Sequence, residues 1–204
     1  MSLPPGIEAA AGGSELVRDA LATARDAHRG QVRNASGGMD YVEHPIAVAE
    51  LVESRGGSDE VLAAALLHDV VEDSEVDLGK IEERFGGAVR DLVAALTDDE
   101  EIEPYERRKD EHRKRVRRAG PEPLAIYAAD KLTNVRALRH AYARQGERVA
   151  GELKVPLDTK IGVWEGDLEM LREVEDAPPF VADLEQELGG LHADRLKLRQ
   201  LSQG

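Results

Sequence analysis

His68-Asp69-Val70-Val71-Glu72-Asp73 ends the apolar run Leu62 to Leu67. An imidazole and three carboxylates therefore sit at the shoulder of a segment whose neighbours belong in a core. Desolvating a carboxylate there is costly unless it is paired or bound to a cation. On a continuous helix His68 and Glu72 share one face, and Asp69 and Asp73 share the next. That places two potential metal ligands and two potential acid/base carboxylates in one region. The dipeptide alone is common by chance, so its meaning depends on what other segments bring to it.

The elements that must position these residues read as helices almost throughout. Ser14 is an N-cap for a helix carrying Leu16, Val17, Ala20, Leu21 and Ala24 at helical spacing. Pro45 suits the first turn of a second helix running to about Ser54. Ser58 caps a third, Val61 to Val71. Asp77 caps a fourth that ends at Phe85-Gly86, and a fifth follows from about Ala88 to Leu96. Leu124 to His140 and Thr159 to Val174 complete the predicted apolar helices, with Gly146 to Pro156 between them as loop. Pro178-Pro179 precede a leucine-spaced helical tail. No two-residue alternation is sustained and no repeat is visible, so the predicted fold class is all-α.

Composition agrees. Aromatics are only 3% of 204 residues, which leaves Leu, Val, Ile and Ala to build the core and favours helices over a sandwich. There is no Cys, which excludes disulfides, thiolate zinc sites and a cysteine nucleophile, and fits a cytoplasmic location. No apolar run approaches the roughly 18 residues of a membrane span. Met1 to Gly13 lacks a basic stretch followed by an apolar one, so no signal peptide is expected. The net charge of −14 argues against a nucleic-acid partner. Residues 1–13 are expected to be disordered, 14–176 to form the functional domain and 177–204 a C-terminal helical tail.

Three further segments accompany the first: His28-Arg29-Gly30-Gln31-Val32-Arg33, Tyr41-Val42-Glu43-His44-Pro45, and Ala128-Ala129-Asp130-Lys131-Leu132-Thr133-Asn134-Val135-Arg136. With Ala65 to Asp73, and with Phe85-Gly86 followed by Leu96-Thr97-Asp98-Asp99, they form five motifs in one order. Together they closely resemble the hydrolase domain of RelA/SpoT proteins, within the HD phosphohydrolase superfamily. The free-standing small alarmone hydrolases, of the animal SpoT-homologue type, are nearer still in length. The resemblance runs from about Ser14 to Val174. It implies an HD-domain helical bundle that removes pyrophosphate from the 3′ position of ppGpp or pppGpp. A chain of this length has no room for the synthetase and regulatory domains of the long proteins, so hydrolysis alone is expected.

Carried over position by position, the resemblance implies that His44, His68, Asp69 and Asp130 hold one divalent ion, Mn²⁺ in this family. Two imidazoles and two carboxylates without a thiolate suit such an N/O-preferring ion. Glu72 and Asp73 match the acidic pair that orients or deprotonates the attacking water. Asn134, one turn after Asp130, matches an active-site Asn. Arg33 matches a residue that grips the nucleotide. On a looser alignment, Lys160 and Trp164 fall at a basic and an aromatic nucleotide contact.

The sequence departs from the family around the phosphates. Asn34, Glu100 and Tyr127 stand where the family has Lys, and Asp40-Tyr41 replaces Pro-Tyr. These changes imply a raised KM for ppGpp and keep two alternatives open: an HD phosphohydrolase for another, less charged phosphorylated nucleotide, and a non-catalytic nucleotide- or metal-binding regulatory module. Glu106 to Arg118 carries eight basic and three acidic residues. It reads either as a solvated helix laced by Asp110/Lys114 and Glu111/Arg115 or as a local positive surface for a polyphosphate. His28 and Tyr41 are expected to pack structurally. His112, His140 and His192 are expected on the surface.

Overall fold

The computed structural model describes residues 5–34 and 38–201. Among them the fold is all-α, with one isolated antiparallel bridge, Val32 to Asp40, just ahead of the second motif. The helices are α1 Pro5–Gly13, α2 Glu15–Ala27, α3 Glu43–Glu53, α4 Asp59–Leu67, α5 Val70–Asp73, α6 Leu78–Leu96, α7 Tyr105–Ala119, α8 Pro121–Gln145, α9 Leu157–Arg172 and α10 Val181–Leu201. A 3₁₀ segment, Gly146–Glu152, joins α8 towards α9, in the stretch read from sequence as loop.

α4 is the hub. Every residue from Val61 to Leu67 is buried, and α2, α3, α6 and α8 pack around it. A helix surrounded on all sides needs no amphipathic stripe, which is why its sequence is apolar throughout. Caps fix where α2, α4 and α6 begin. Val17 N–H donates to Ser14 Oγ at 3.4 Å, Val61 N–H to Ser58 Oγ at 3.4 Å and Lys80 N–H to Asp77 Oδ1 at 2.9 Å. Gly86 has φ 85°, a region that disfavours a side chain, and it kinks α6 at the point where the sequence predicted two helices.

Three sequence expectations are corrected. Pro5 to Gly13 is helical, not disordered; residues 1–4 of that expected segment lie outside the described residues. Ile7 and Ala11, four apart, are buried where α1 packs on α2 and α3; two small anchors in a Gly/Ala-rich stretch leave little periodic signal. The third helix does not run unbroken to Val71: α4 ends at Leu67, and His68-Asp69 form the joint to α5. Both joint residues keep right-handed helical φ/ψ, so the four chemically active residues stay clustered. Finally, His112 is buried at 5% exposure, with its ring edge-on to Tyr127 at 5.3 Å. His140 is exposed, and His192 pairs at the surface with Glu165.

α7 owes its place to partners far away in sequence. Arg113 Nη1 donates to Asp167 Oδ1 at 3.0 Å on α9, and Val116 and His112 pack inward. The Asp110/Lys114 pair forms at 2.7 Å, whereas Arg115 reaches Thr97 O at 2.5 Å instead of Glu111. α10 lies on α8 and α9, burying Leu184, Leu188 and Leu191, with Arg139 between Glu187 and Asp194.

The burial of His112 has a consequence for stability. Desolvation, reinforced by Lys131 and Lys109, pushes its pKa down to about 3. The unfolded chain takes up that proton below about pH 6.5 and the folded chain does not, so stability falls as pH drops from about 6.5 towards 3. His112→Gln should therefore lose less stability than the parent on going from pH 7 to pH 5, by about 2 kcal/mol. Urea midpoints at both pH values measure this. Parallel losses in the two proteins would assign the acid sensitivity to other groups.

Candidate metal centre

Three segments deliver four side chains to one point. His44 stands in the first turn of α3, His68 and Asp69 in the α4–α5 joint, and Asp130 midway along α8. His44 Nε2 is 3.1 Å from Asp130 Oδ1 and 3.5 Å from Asp69 Oδ2. His68 Nε2 is 3.2 Å from Asp69 Oδ1 and 4.0 Å from Asp130 Oδ1. Ligand-type atoms of His44, His68 and Asp130 lie within 4.8 Å of one another.

Hydrogen bonding decides which ring nitrogen faces inward. His68 Nδ1 lies 2.8 Å from the Ala65 carbonyl, which only accepts, so Nδ1 carries the proton. Thr133 Oγ1 donates to Asp130 O at 2.8 Å, so its remaining contact, His44 Nδ1 at 3.2 Å, must donate to it. In their neutral forms both rings then present Nε2 lone pairs to a group of carboxylate oxygens. His68 Nε2 is buried with no hydrogen-bond partner. Lone pairs facing carboxylates repel unless a cation stands between them, and this donor set fits a divalent metal ion.

The surrounding shell holds these groups still. Tyr41 Oη donates to Asp69 Oδ2 at 3.0 Å, and the ring stacks on His28 at 4.6 Å. Tyr41 thus does more than pack. His28 contacts Gln31 Oε1, whose amide donates to Asp73 O at 2.8 Å, so the first motif supports the acidic pair. Lys131 Nζ donates to Asp130 Oδ2 at 2.6 Å. Burial alone would raise Asp130, but Lys131 and the imidazoles hold its carboxyl well below the usual range. Asn134 Nδ2 donates to Asp130 Oδ1, while Asn134 Oδ1 accepts from Arg33 Nη2 at 2.5 Å.

Glu72 is the acid set apart. Its Oε1 accepts the Asp98 backbone N–H at 2.6 Å. Burial, and then the charge of Asp69, push its pKa up to about 7, which suits proton transfer near neutrality.

All ten residues singled out from sequence line one cavity of about 340 Å³: His44, His68, Asp69, Asp130, Glu72, Asp73, Asn134, Arg33, Lys160 and Trp164. Lys160 Nζ lies 5.1 Å from the Trp164 ring centre, and burial with Lys109 and Lys131 nearby pushes its pKa down to about 8. Asn34 and Glu100 also line the cavity. Tyr127 is buried in its wall, where its hydroxyl donates to Asp167 Oδ1 at 2.8 Å and its ring lies 4.2 Å from Lys131 Nζ. Lys109, expected only as part of a basic helix, His112, expected on the surface, and Asp98, given no role from sequence, all share the cavity. Asp98 stood inside a quoted motif, but its partners on α7 are visible only in the fold.

The HD-domain family profile matches residues 20–164. The mouse guanosine-3′,5′-bis(diphosphate) 3′-pyrophosphohydrolase MESH1 is 38% identical over 130 residues, covering 62% of this chain and 72% of that protein. The Escherichia coli bifunctional (p)ppGpp synthase/hydrolase SpoT is 32% identical over 155 residues, covering 72% of this chain and 22% of its own length. A solved structure of a metazoan SpoT orthologue, described as hydrolysing ppGpp, superposes with a TM-score of 0.69 at 27% identity, covering 89% of this chain and 96% of that one. On these matches and this site, the chain belongs to the HD-domain family, in the branch that holds the MESH1 and SpoT hydrolases.

Proposed function

We infer that this chain is a metal-dependent phosphohydrolase that removes the 3′ pyrophosphate of guanosine 3′,5′-bis(diphosphate), and of the pentaphosphate, releasing GDP or GTP. The observation that carries the reading is the meeting of the His44 and His68 Nε2 atoms with the Asp69 and Asp130 carboxylates in the wall of a cavity that also holds Arg33, Lys131 and Lys160. Residues 14–176 form the catalytic unit of this reading, with the cytoplasm as its proposed setting.

In the proposed site, His44, His68, Asp69 and Asp130 would hold a divalent, N/O-preferring ion, and Mn²⁺ is the one the family resemblance implies. When bound, such an ion acidifies water and offsets charge on the phosphoryl oxygens. Glu72 takes the proton from the attacking water. Water's oxygen bonds to the phosphorus attached at O3′, the P–O3′ bond breaks, and the ribose oxygen leaves to take up a proton. Asp73, supported through Gln31, orients that water from the neighbouring position. Asn134, fixed between Asp130 and Arg33, keeps the Arg33 guanidinium beside the metal centre, where it grips the nucleotide. Lys160 supplies a cation and Trp164 an aromatic face for the same ligand. Assay of ppGpp and other phosphorylated nucleotides with Mn²⁺, with and without chelator, tests the reading. ppGpp turnover lost on chelation is expected, and no turnover of any nucleotide would reject it.

A second reading, a less charged nucleotide, is favoured by Asn34 and Glu100 on the cavity lining. Each exposed charge–phosphate contact is worth about 1 kcal/mol or less. Asn34→Lys with Glu100→Lys should therefore lower the KM for ppGpp by about 10-fold and make it more salt-sensitive. Steady-state kinetics at two salt concentrations checks this. An unchanged KM would remove electrostatics as the reason for the departure.

A further inference from the structure

The basic helix α7 is neither a solvated face nor simply a positive lining. It grips the turn that follows α6, and that turn carries the donor that holds Glu72. The Asp98 side chain is 5% exposed. Its Oδ2 accepts from Lys109 Nζ at 2.6 Å and lies 3.4 Å from Arg108 Nε. His112 Nδ1 is 3.8 Å from Oδ1. One residue earlier, Thr97 O accepts from Arg115 Nη2 at 2.5 Å. Side chains from successive turns of α7 thus fix two consecutive residues, and the second of them donates its N–H to Glu72 Oε1 at 2.6 Å.

An unanchored turn would let that N–H swing away, and with it the carboxylate it aims. Lys109 lines the cavity but is only 21% exposed, and its charge is already met by Asp98 at hydrogen-bond distance. A phosphate contact would require that pair to break. The geometry points to Asp98 and Lys109 as positioning residues for Glu72: α7 locks the turn, and the turn locks the carboxylate at the angle proton transfer needs. This inference rests on the reading of Glu72 as the proton acceptor.

The test compares Glu72→Gln, Asp98→Asn, Lys109→Met and Lys109→Arg by steady-state kinetics on ppGpp with Mn²⁺. Calorimetric Mn²⁺ titrations and thermal melts run alongside. Asp98→Asn keeps the side-chain size and the backbone donor, so it tests the clamp without emptying the site. Asp98→Asn and Lys109→Met should each lower kcat about 10-fold or more, with KM within about twofold, because misplacement of a reacting group acts on the chemical step. Mn²⁺ affinity should be unchanged, and Lys109→Arg should restore most of kcat by re-forming the pair. A raised KM with intact kcat in Lys109→Met makes Lys109 a phosphate contact and overturns the inference. Parental kcat in Asp98→Asn and Lys109→Met, with Glu72→Gln inactive, overturns the positioning alone. Parental kcat in Glu72→Gln overturns the role of Glu72 and the positioning with it.

Discussion

Alanine at Asp130 is expected to abolish turnover and divalent-metal binding together. Asp130 Oδ1 is the oxygen nearest to His44 Nε2 and is also within reach of His68 Nε2, so its removal opens the centre from the α8 side. The change also strands Lys131, which is 8% exposed and paired with Asp130 at 2.6 Å. Breaking a buried pair from one side costs about 3–5 kcal/mol, so lost activity in the alanine variant could reflect unfolding. Asp130→Asn separates the two effects, since it keeps the shape and an oxygen for Lys131. In that variant, Mn²⁺ affinity should fall by more than the roughly 100-fold that loss of an outer-shell partner costs. Calorimetric titration on the folded variant reads this. Normal affinity there would remove Asp130 from the ligand set.

Glu72→Gln is the second large effect, and it should have the opposite pattern. Metal binding stays, because Glu72 is held by the Asp98 N–H and not by the imidazoles. Turnover falls by about 10²–10⁴-fold, the usual contribution of a general base. The pH profile makes the test sharper. Burial and Asp69 push the Glu72 carboxyl up to about 7. A base must be ionised, so parental kcat/KM is present above about 7 and is lost as pH falls through that value. The Gln variant lacks that carboxyl, so its residual activity should lose the part of the acidic limb that Glu72 sets. A variant that keeps both the parental rate and the limb would take Glu72 out of the mechanism.

The parts of this molecule legible in sequence are those where a residue type has few other uses. An adjacent His-Asp after an apolar run is expensive to bury for packing alone, and the family resemblance of the accompanying motifs added His44, Asp130 and Asn134. Ser14, Ser58 and Asp77 marked helix starts because few side chains cap an N-terminus well. α7 was opaque for a physical reason. Its buried face is only His112 and Val116, and most of its cations are satisfied by groups far away in sequence, such as Asp98, Asp167 and Thr97 O. No periodicity records such contacts. The break at His68-Asp69 was equally hidden, because the backbone stays in the helical region and only the hydrogen-bond ladder is interrupted. α1 buries two side chains on a Gly/Ala-rich background, too few to register as a stripe.

Product analysis of ppGpp incubated with the Mn²⁺-loaded protein tests the central claim most directly. Phosphorus NMR distinguishes pyrophosphate from orthophosphate and GDP from a 3′-phosphorylated nucleotide. GDP and pyrophosphate are expected in equal amounts, with neither formed after chelation of the metal. Orthophosphate release, or inert ppGpp alongside turnover of another nucleotide, would contradict it.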